Sequence, residues 1–277
     1  MPLYDSIGQH YSKFRVPDSR IVDGLINLLN LPKSSVIADI GAGIGGYSRA
    51  ICADARRLAN ASLSQQRFAI ANQGFFVHAV EPSDTMQSQA IAHPQVRWFK
   101  GYAENLSLPN SSVDAAISIL AIHHFSNLAK AIQEMHRVVK TGAIVFFTFD
   151  IRKSESIWLT DYFPFLQEDA LRFLPLENLV ELIKGITGRA VEAFTFFLPH
   201  DLSDLFAAAA WRRPELYLNP EVRAGISSFA LADSSLVQVG IESLEADLSS
   251  GQWDRKYGEI RMRKEVDVGY RFLRATL

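Results

Sequence analysis

Cysteine is nearly absent from this sequence, since Cys52 is the only one among 277 residues. One thiol excludes an internal disulfide and any zinc site built from several cysteines. The adjacent pair His123 and His124 has no cluster of acids nearby in the sequence, so we expect no metal site.

An excess of charge of either sign is also missing. Lysine and arginine total 28 against 30 aspartates and glutamates, which gives a formal net charge of −2. The basic run RMRK at 261–264 is short, and we interpret it as a solvated helix face. The charge pattern therefore predicts no nucleic-acid partner and no acidic membrane surface as a partner. No feature of the sequence indicates an oligomeric state.

Long apolar runs are missing as well. The run AAISILAI at 115–122 is interrupted by a serine and is far too short to span a bilayer. The first fifteen residues contain no apolar core of signal-peptide length. We therefore expect a soluble, cytoplasmic protein. Its 48% hydrophobic content is enough for a sizeable buried core.

Short apolar segments alternate with helical patterns over the first 150 residues. Helical spacing of apolar residues is found at 19–30, 84–92 and 127–140. The segments that we interpret as strands are VIADI (36–40), FFVHAV (75–80), VRWFK (96–100), VDAAISIL (113–120) and AIVFFTF (143–149). They are mostly apolar throughout, which is typical of strands covered by helices on both sides. The alternation predicts an α/β fold with a doubly wound, mostly parallel sheet.

After Asp150 the sequence becomes more aromatic and more helical. Two further strands are predicted at 191–199 and 265–277, which brings the sheet to seven. We expect a core over 1–150, an aromatic helical lid over 151–190, and final strands over 191–277 with a helical cap inserted at 200–262. Such a lid would cover the carboxyl edge of the sheet, where open α/β sheets bind ligands.

The stretch ADIGAGIGGYS (38–48) joins the first strand to a helix through four glycines. Glycines permit a tight turn and close approach of a ligand to the backbone, and a helix N-terminus offers free N–H groups. The spacing fits G-x-G-x-x-G through Gly41, Gly43 and Gly46, and it fits G-x-G-x-G through Gly45. Alone it indicates a nucleotide-type site or a crossover without any ligand.

Two acidic residues indicate which ligand groups a site here would suit. Asp39 precedes the first glycine by two residues, where it would repel a pyrophosphate but suit an ammonium group. Glu81 ends the second strand, where a carboxylate can accept both hydroxyls of a ribose. Both acids follow apolar strands and would be costly to bury unless they have partners.

Four ordered motifs make the resemblance specific: VIADIGAGIGGYS, AVEPSDTM, GYAENLSLPNSSVDAAISILAIHHF and EMHRVVKTGAIVFFTFD. The series resembles the class I S-adenosylmethionine-dependent methyltransferases, in particular the bacterial small-molecule branch related to ubiquinone/menaquinone-type methyltransferases. The core likeness covers about residues 4 to 150. The segments WRRPELYL, RAGISSFAL and DVGYRFL resemble the C-terminal half of uncharacterised members.

The resemblance implies roles for individual residues. Asp39 would orient the methionine ammonium, and the turn through Gly41, Ala42 and Gly43 would pass close to the methionine portion. Glu81, followed by Pro82, would hold the ribose hydroxyls. The residues implied around the adenine and the sulfonium are Met86 over an adenine face, Ala103 and Glu104 at the adenine edge, and Leu120 under the reactive sulfur. Tyr102 stands where many relatives carry an aspartate.

Other candidates are the N-terminal pair and the residues near the acceptor. Tyr11 and Arg15 lie at i and i+4 on a predicted helix, so Arg15 would pair with the methionine carboxylate or the two would simply anchor that helix. If a general base is needed, His124 and His10 are the candidates, while packing against the sheet is the alternative for His124. The lid residues expected to set specificity are Trp158, Tyr162, Phe163, Phe165, Trp211 and Arg212.

The crossover between the first two strands is longer than usual. From Gly45 to Glu81 there are 81 − 45 = 36 positions, whereas such crossovers place the acid about 20 residues on. Joining residue 48 to residue 68 leaves an ordinary helix, turn and strand. The sequence therefore predicts an insertion over 49–67, exposed and dispensable for the fold.

The sequence thus predicts an enzyme that transfers methyl from S-adenosylmethionine to an unidentified small molecule. One alternative is an NAD-dependent oxidoreductase that uses the same glycines. The other is a non-enzymatic S-adenosylmethionine-binding protein, because methyl transfer from an activated sulfonium needs no particular catalytic side chain.

Overall fold

The computed structural model describes residues 2–8, 11–57 and 74–277 of the chain. Within these residues, seven strands form one sheet in the order β3-β2-β1-β4-β5-β9-β6, and β7 and β8 form a separate pair. The strands are β1 (Val36–Ile40), β2 (Phe76–Glu81), β3 (Val96–Lys100), β4 (Ala115–Ile119), β5 (Ile144–Ser154), β6 (Ala190–Thr195), β7 (Leu198–Pro199), β8 (Glu265–Val266) and β9 (Val268–Thr276).

Helices cover both faces of this sheet and build a cap beyond its edge. In chain order the α-helices are α1 (Tyr4–Ile7), α2 (Ser19–Leu29), α3 (Gly46–Arg57), α4 (Asp84–Ser88), α5 (Leu128–Val138), α6 (Leu159–Tyr162), α7 (Phe165–Leu171), α8 (Leu176–Thr187), α9 (Pro220–Ala224), α10 (Ser227–Leu231), α11 (Ser234–Ser249) and α12 (Gln252–Tyr257). Short 3₁₀ turns span Tyr11–Lys13, Ile122–His124, Pro214–Leu218 and Gly258–Met262. None of the described helices combines the length and apolarity that crossing a bilayer requires.

The sheet has the predicted architecture. β1 pairs in parallel with β2 and with β4, and β5 continues the parallel series beyond β4. β9 lies between β5 and β6 and is antiparallel to both. The doubly wound, mostly parallel seven-stranded sheet is therefore confirmed. The antiparallel strand distinguishes it from the all-parallel 3-2-1-4-5-6 order of dinucleotide-binding sheets.

Burial on both faces explains why the central strands β1, β4 and β5 are mostly apolar. On β5, Phe146 packs with helices α5 and α8, whereas Phe147 packs with α2 and the cap. Successive side chains of a strand point to opposite faces, so a strand between two helical layers needs apolar residues throughout. Helix α2 begins after Asp18, whose carboxylate accepts a hydrogen bond from the Arg20 backbone N–H.

The predicted insertion boundary at residue 49 is wrong. Helix α3 continues from the glycine turn to Arg57, and within it Ile51 and Cys52 are buried in the core beneath the sheet. Residues up to 52 are therefore part of the crossover helix rather than a protrusion. The boundary was misplaced because the two core residues lie among arginines and alanines, which leave no clear apolar stripe in this part of the sequence. Residues 58–67 of the predicted insertion lie outside the described residues.

The predicted lid boundaries at 151–190 also need correction. Strand β5 extends through Ser154, and helix α8 packs beside α5 on the sheet face. Leu176, Leu179 and Ile183 bury the apolar stripe of α8 in that core. The segment that joins the cap is therefore shorter, from Glu155 to Pro175. Within the cap, α6 and α7 pack against the helices between Pro214 and Tyr257.

We expect Ile51→Ala to lower the free energy of unfolding by about 2–4 kcal/mol, because it leaves a cavity beneath the sheet. The matched control is Ile91→Ala, since Ile91 is 65% exposed and the same truncation there creates no cavity. Urea denaturation of both variants measures the difference. Equal effects of the two substitutions would show that this part of α3 does not belong to the core.

Candidate functional site

The turn after β1 passes close to a neighbouring loop. Gly41, Gly43 and Gly45 all have positive φ, at 75°, 57° and 69°, a region that side chains rarely adopt. A Cβ on Gly41 would lie 2.6 Å from the Cβ of Ala121, so glycine is required there for space as well. The turn leads directly into α3, whose first backbone N–H groups face the carboxyl edge of the sheet.

Glu81 connects the end of β2 to this turn. Its Oε2 accepts a hydrogen bond from the Gly43 backbone N–H at 3.0 Å, and its Oε1 accepts one from the Ser83 backbone N–H at 2.9 Å. The side chain is buried, and burial raises its pKa despite these two bonds. The carboxylate is thus held rigidly at the rim of the glycine turn.

Asp39 lies beneath the same turn and is 2% exposed. Its Oδ2 accepts a hydrogen bond from the Ser48 hydroxyl at 2.5 Å. Burial raises the pKa of Asp39 to about 7, and the nearby charge of Glu81 adds to this while Ser48 opposes it. A raised carboxyl pKa means that the ionised form lacks compensating positive charge, which an approaching cation would supply.

A cavity of about 250 Å³ opens between the glycine turn, the ends of β2 and β4, and the N-terminal segment. It brings together most of the residues expected around a cofactor. The expected residues that line it are Tyr11, Gly41, Gly43, Glu81, Pro82, Met86, Ala103, Glu104, Leu120 and His124. Tyr102, which is 53% exposed, lies at its mouth.

A smaller cavity of about 50 Å³ adjoins the first one beneath the turn. Arg15, Asp39 and Ala42 line it, and Tyr11, Gly41 and Gly43 are shared with the larger cavity. All of the expected cofactor residues therefore line one or the other of two adjoining cavities.

Arg15, expected either to pair with the methionine carboxylate or to anchor the N-terminal helix, has partners within the protein. In the structure its guanidinium binds Asp204 of the cap, with Nε 2.6 Å from Oδ1, and Nη1 donates to the Gly225 carbonyl. Tyr47 donates a further hydrogen bond to Asp204 at 3.0 Å. The Tyr11 ring lies 4.7 Å from the guanidinium. Arg15 thus fastens the N-terminal segment to the cap, and its charge is already neutralised.

Glu104 also has partners within the protein. Its Oε1 accepts hydrogen bonds from the Ser126 hydroxyl at 2.9 Å and from the Asn127 backbone N–H at 3.0 Å. These bonds, against the effect of burial, hold the pKa of Glu104 below its usual range. The acid thereby fixes the loop before α5 while still lining the cavity.

Leu120 adopts a φ of 49°, an unusual conformation for a residue with a side chain. Its backbone N–H donates to the Phe147 carbonyl at 2.7 Å, which holds this conformation at the end of β4. Such strain is characteristic of functional sites. Leu120 lines both the main cavity and a third one behind it.

His124 is in contact with the N-terminal segment. Its Nε2 lies 3.0 Å from the Tyr4 hydroxyl, and the two rings meet edge to face. Burial lowers the pKa of His124 to about 4, although Asp169 acts in the opposite direction. The imidazole is therefore neutral at physiological pH and able to accept a proton. His10, the other predicted base, lies outside the described residues.

The aromatic residues expected to form a specificity lid instead form the interior of the cap. Trp158, Tyr162, Phe163, Phe165 and Trp211 are all buried. The Trp158 indole N–H donates to the Trp211 carbonyl at 2.6 Å, and Phe163 and Phe165 pack on Phe229. Among the residues that line the described cavities, none of these five is found, and Arg212 is absent as well.

Sequence reasoning missed a different set of aromatic residues. A third cavity, of about 50 Å³, lies behind Leu120 between the sheet edge and the cap. Its walls include Tyr4, Arg15, His123, Phe149, Phe173, Phe206 and Tyr270. Phe149, the last residue of the strand expected at 143–149, could have been found from the rule that ligands bind at the carboxyl edge. Tyr270 and Phe206 carry no comparable local signal.

Residues 38–147 match the family model described as a methyltransferase domain. A crystal structure from Anabaena variabilis ATCC 29413 is 63% identical in sequence to this chain. That protein is assigned, by inference, as a methyltransferase of an antibiotic biosynthesis pathway. It superposes with a TM-score of 0.87, and the match covers 96% of this chain and 100% of that chain.

Two further relatives are more distant. The ubiquinone/menaquinone biosynthesis C-methyltransferase of Rubrivivax gelatinosus is 38% identical over 68 residues, which is 24% of this chain and 27% of that protein. Phosphoethanolamine N-methyltransferase 2 of Haemonchus contortus, solved with phosphomonomethylethanolamine and S-adenosylhomocysteine, is 17% identical with a TM-score of 0.53. It matches 93% of this chain and 52% of its own, and shows a shared fold. The first curated relatives are matched over 27% to 49% of their own length.

We expect Asp39→Asn to gain stability relative to the wild type as pH rises. The native pKa of Asp39 is about 7, above the value of an unfolded chain, so wild-type stability falls between about pH 4 and pH 7. Asparagine does not titrate, and the difference in free energy of unfolding should shift by about 2–3 kcal/mol between pH 5 and pH 8. Denaturant titrations of the ligand-free protein measure it.

Asp18→Asn is the matched control. Hydrogen bonds with Arg20 outweigh the effect of burial and hold the pKa of Asp18 at about 2, so its contribution is constant from pH 5 to pH 8. A shift in the Asp39 variant no larger than in the Asp18 variant would show that Asp39 does not have the raised pKa.

Proposed function

The chain belongs to the class I S-adenosylmethionine-dependent methyltransferases, and from this premise we propose that it transfers methyl from S-adenosylmethionine to a small molecule. The observation that carries the proposal is the buried Glu81 carboxylate, bonded to the Gly43 backbone N–H at the wall of the main cavity. The relative from Anabaena variabilis, assigned to an antibiotic biosynthesis pathway, supports a small-molecule acceptor. We further propose that the protein acts in the cytoplasm.

The residues present fit S-adenosylmethionine chemically. Asp39 is buried beside the glycine turn with a pKa raised to about 7, which is the condition that a ligand ammonium would relieve. Glu81 uses each oxygen for one backbone N–H, and each carboxylate oxygen can accept a further bond from a ribose hydroxyl. Met86 and Ala103 add apolar walls for an adenine.

When bound, S-adenosylmethionine supplies a methyl group on a positively charged sulfur. We assign Asp39 to its ammonium, Glu81 to its ribose and Leu120 to the vicinity of its sulfur. Because Arg15 is bound to Asp204, we assign the methionine carboxylate to the first backbone N–H groups of α3, which form a natural anion site. The N–H groups of the turn at positions 41, 42, 43 and 45 already donate to oxygens of the protein. Arg15 then acts by holding the cap closed rather than by direct contact.

The chain's own contribution to the reaction is alignment and proton removal. The acceptor's nucleophile forms a bond to the methyl carbon while the carbon–sulfur bond breaks and leaves its electron pair on sulfur. Any proton that the acceptor loses passes to the Tyr4 oxygen as Tyr4 gives its own proton to His124 Nε2. Proton removal by this pair accompanies methyl transfer, so that it raises the nucleophilicity of a hydroxyl acceptor as the new bond forms.

Exclusion of water is the other contribution. The third cavity is walled by aromatic rings, and Arg15 with Asp204 fastens the N-terminal segment over it. A dry site strengthens the electrostatic interactions at the reacting atoms and prevents hydrolysis. We infer that the N-terminal segment must loosen for ligands to exchange, since Tyr4 and Tyr11 both line the main cavity.

Calorimetry with S-adenosylhomocysteine and with NADH tests the cofactor. We expect S-adenosylhomocysteine to bind and NADH not to compete, and preferential binding of NADH would overturn the proposal. The non-enzymatic alternative is tested by turnover of a metabolite panel, followed as S-adenosylhomocysteine release. Binding without release from any acceptor would favour that alternative.

Glu81→Gln should weaken S-adenosylhomocysteine binding by about 10- to 100-fold, because an amide oxygen accepts hydroxyls less strongly and its NH₂ opposes the Gly43 N–H. The matched control is Glu181→Gln on the outer face of α8, where Glu181 pairs with Lys184 and is largely exposed. Isothermal titration of both variants measures the ratio. An unchanged affinity in the Glu81 variant would remove Glu81 from the cofactor site.

His124→Gln and Tyr4→Phe should each lower kcat by about 100-fold for an acceptor that loses a proton, with little effect on S-adenosylhomocysteine affinity. Both substitutions interrupt the same proton route through Tyr4 and His124, so their effects should not add. Single-turnover rates of the two variants and the double variant test this. Additive losses, or a loss of cofactor affinity instead of rate, would contradict the proton route.

A further inference from the structure

A fourth cavity of about 230 Å³ lies between the edge of the sheet and the cap, on the side away from the glycine turn. Phe149 of β5 and Tyr270 of β9 form its floor, and Ala207, Ala208 and Leu166 form its cap side. It reaches the surface where the exposed side chains of Glu155, Ser156 and Gln167 form its rim.

The cavities adjoin one another in a line. Tyr4 and Leu120 are shared by the main cavity and the small chamber behind it. Phe149, Ala207, Ser228 and Tyr270 are shared by that chamber and the fourth cavity. The line therefore runs from the rim at Glu155 to Leu120, where we assign the reacting methyl.

The charged groups along this line are already paired. Arg15 binds Asp204 at 2.6 Å, and Glu155 at the rim binds Arg263 at 2.9 Å. Burial keeps His123 neutral by holding its pKa well below the usual range. Within the described residues, no cation free of an acidic partner lines the chamber or the fourth cavity. A carboxylate or phosphate placed there would lose its hydration without compensation.

The walls are instead aromatic, aliphatic or neutral and polar. The rings of Phe149 and Tyr270 are stacked with centroids 5.3 Å apart, and Phe173 meets Phe149 edge to face. Ser228 donates its hydroxyl to Asp169, so its oxygen still has capacity to accept a hydrogen bond. Such a lining suits an apolar body with few uncharged polar groups.

We propose that the acceptor is a neutral, elongated molecule with an apolar or aromatic body, which occupies the fourth cavity and presents its nucleophile at Leu120 beside Tyr4 and His124. This inference rests on the proposed methyl transfer, because the methyl donor defines the inner end of the line. Acceptors with an anionic group near the nucleophile are excluded by the same lining.

The test uses two probes that share a 4-hexylphenyl body, of which one is neutral and the other carries a carboxylate. In the presence of saturating S-adenosylhomocysteine, 4-hexylphenol should bind at least about tenfold more tightly than 4-hexylbenzoate, because a buried carboxylate finds no cation. Equal binding, or tighter binding of 4-hexylbenzoate, would overturn the proposal. Failure of the wild type to bind S-adenosylhomocysteine would instead overturn the proposed function, and the two results are measured separately.

A bulky substitution in the wall of the fourth cavity tests whether the probe binds there. Ala207→Phe, at the wall shared by the chamber and the fourth cavity, should weaken 4-hexylphenol binding by about tenfold or more with unchanged S-adenosylhomocysteine affinity. The matched control is Ala193→Phe on the exposed edge of β6, which should change neither affinity. Ala208→Leu is the second variant if the first does not fold. Full probe affinity in a folded, obstructed variant would contradict the assigned route.

Discussion

The hydrogen bond from the Gly43 backbone N–H to Glu81 is the interaction on which the site depends. It joins the ends of β1 and β2 at the carboxyl edge of the sheet. A buried carboxylate requires donors, and a turn of glycines offers its backbone N–H groups without side chains in the way. The bond thus fixes the turn, the turn fixes the start of α3, and the cavity lies in the space that they enclose.

The sheet and the cofactor half of the site were predictable because their signals are local. Strands buried on both faces are mostly apolar. Asp39 and Glu81 are acids at or near the ends of such strands, where a buried charge needs a partner. The carboxyl ends of parallel strands lie at one edge of the sheet. Short motifs that are far apart in the sequence can therefore be predicted to lie close together, even when the packing of side chains is unknown. The boundary at residue 49 failed because Ile51 and Cys52 are too few to give a clear apolar stripe.

The cap was less predictable because its interactions join distant segments. Nothing near Arg15 indicates that Asp204, 189 residues away, will neutralise it. Aromatic residues in a helical segment are compatible with a ligand wall and with an interior, and only packing decides between the two. In the cap these aromatic residues form the interior, because Trp158 and Phe163 both pack against Tyr217. The ligand walls came from the sheet edge instead.

The position of β9 has a consequence for the order in which the protein assembles. β9 follows the whole cap in the chain, yet it lies inside the sheet between β5 and β6. Strands β1 to β4 all lie within the first 119 residues, whereas the pairing of β9 with β5 closes a loop of more than 100 residues that contains the whole cap. Pairing within the half proposed to hold the donor therefore has the lower entropic cost of loop closure, and we expect that half to form before the one that contributes Tyr270. Changes in the cap are then expected to alter the acceptor side while the donor side folds as before.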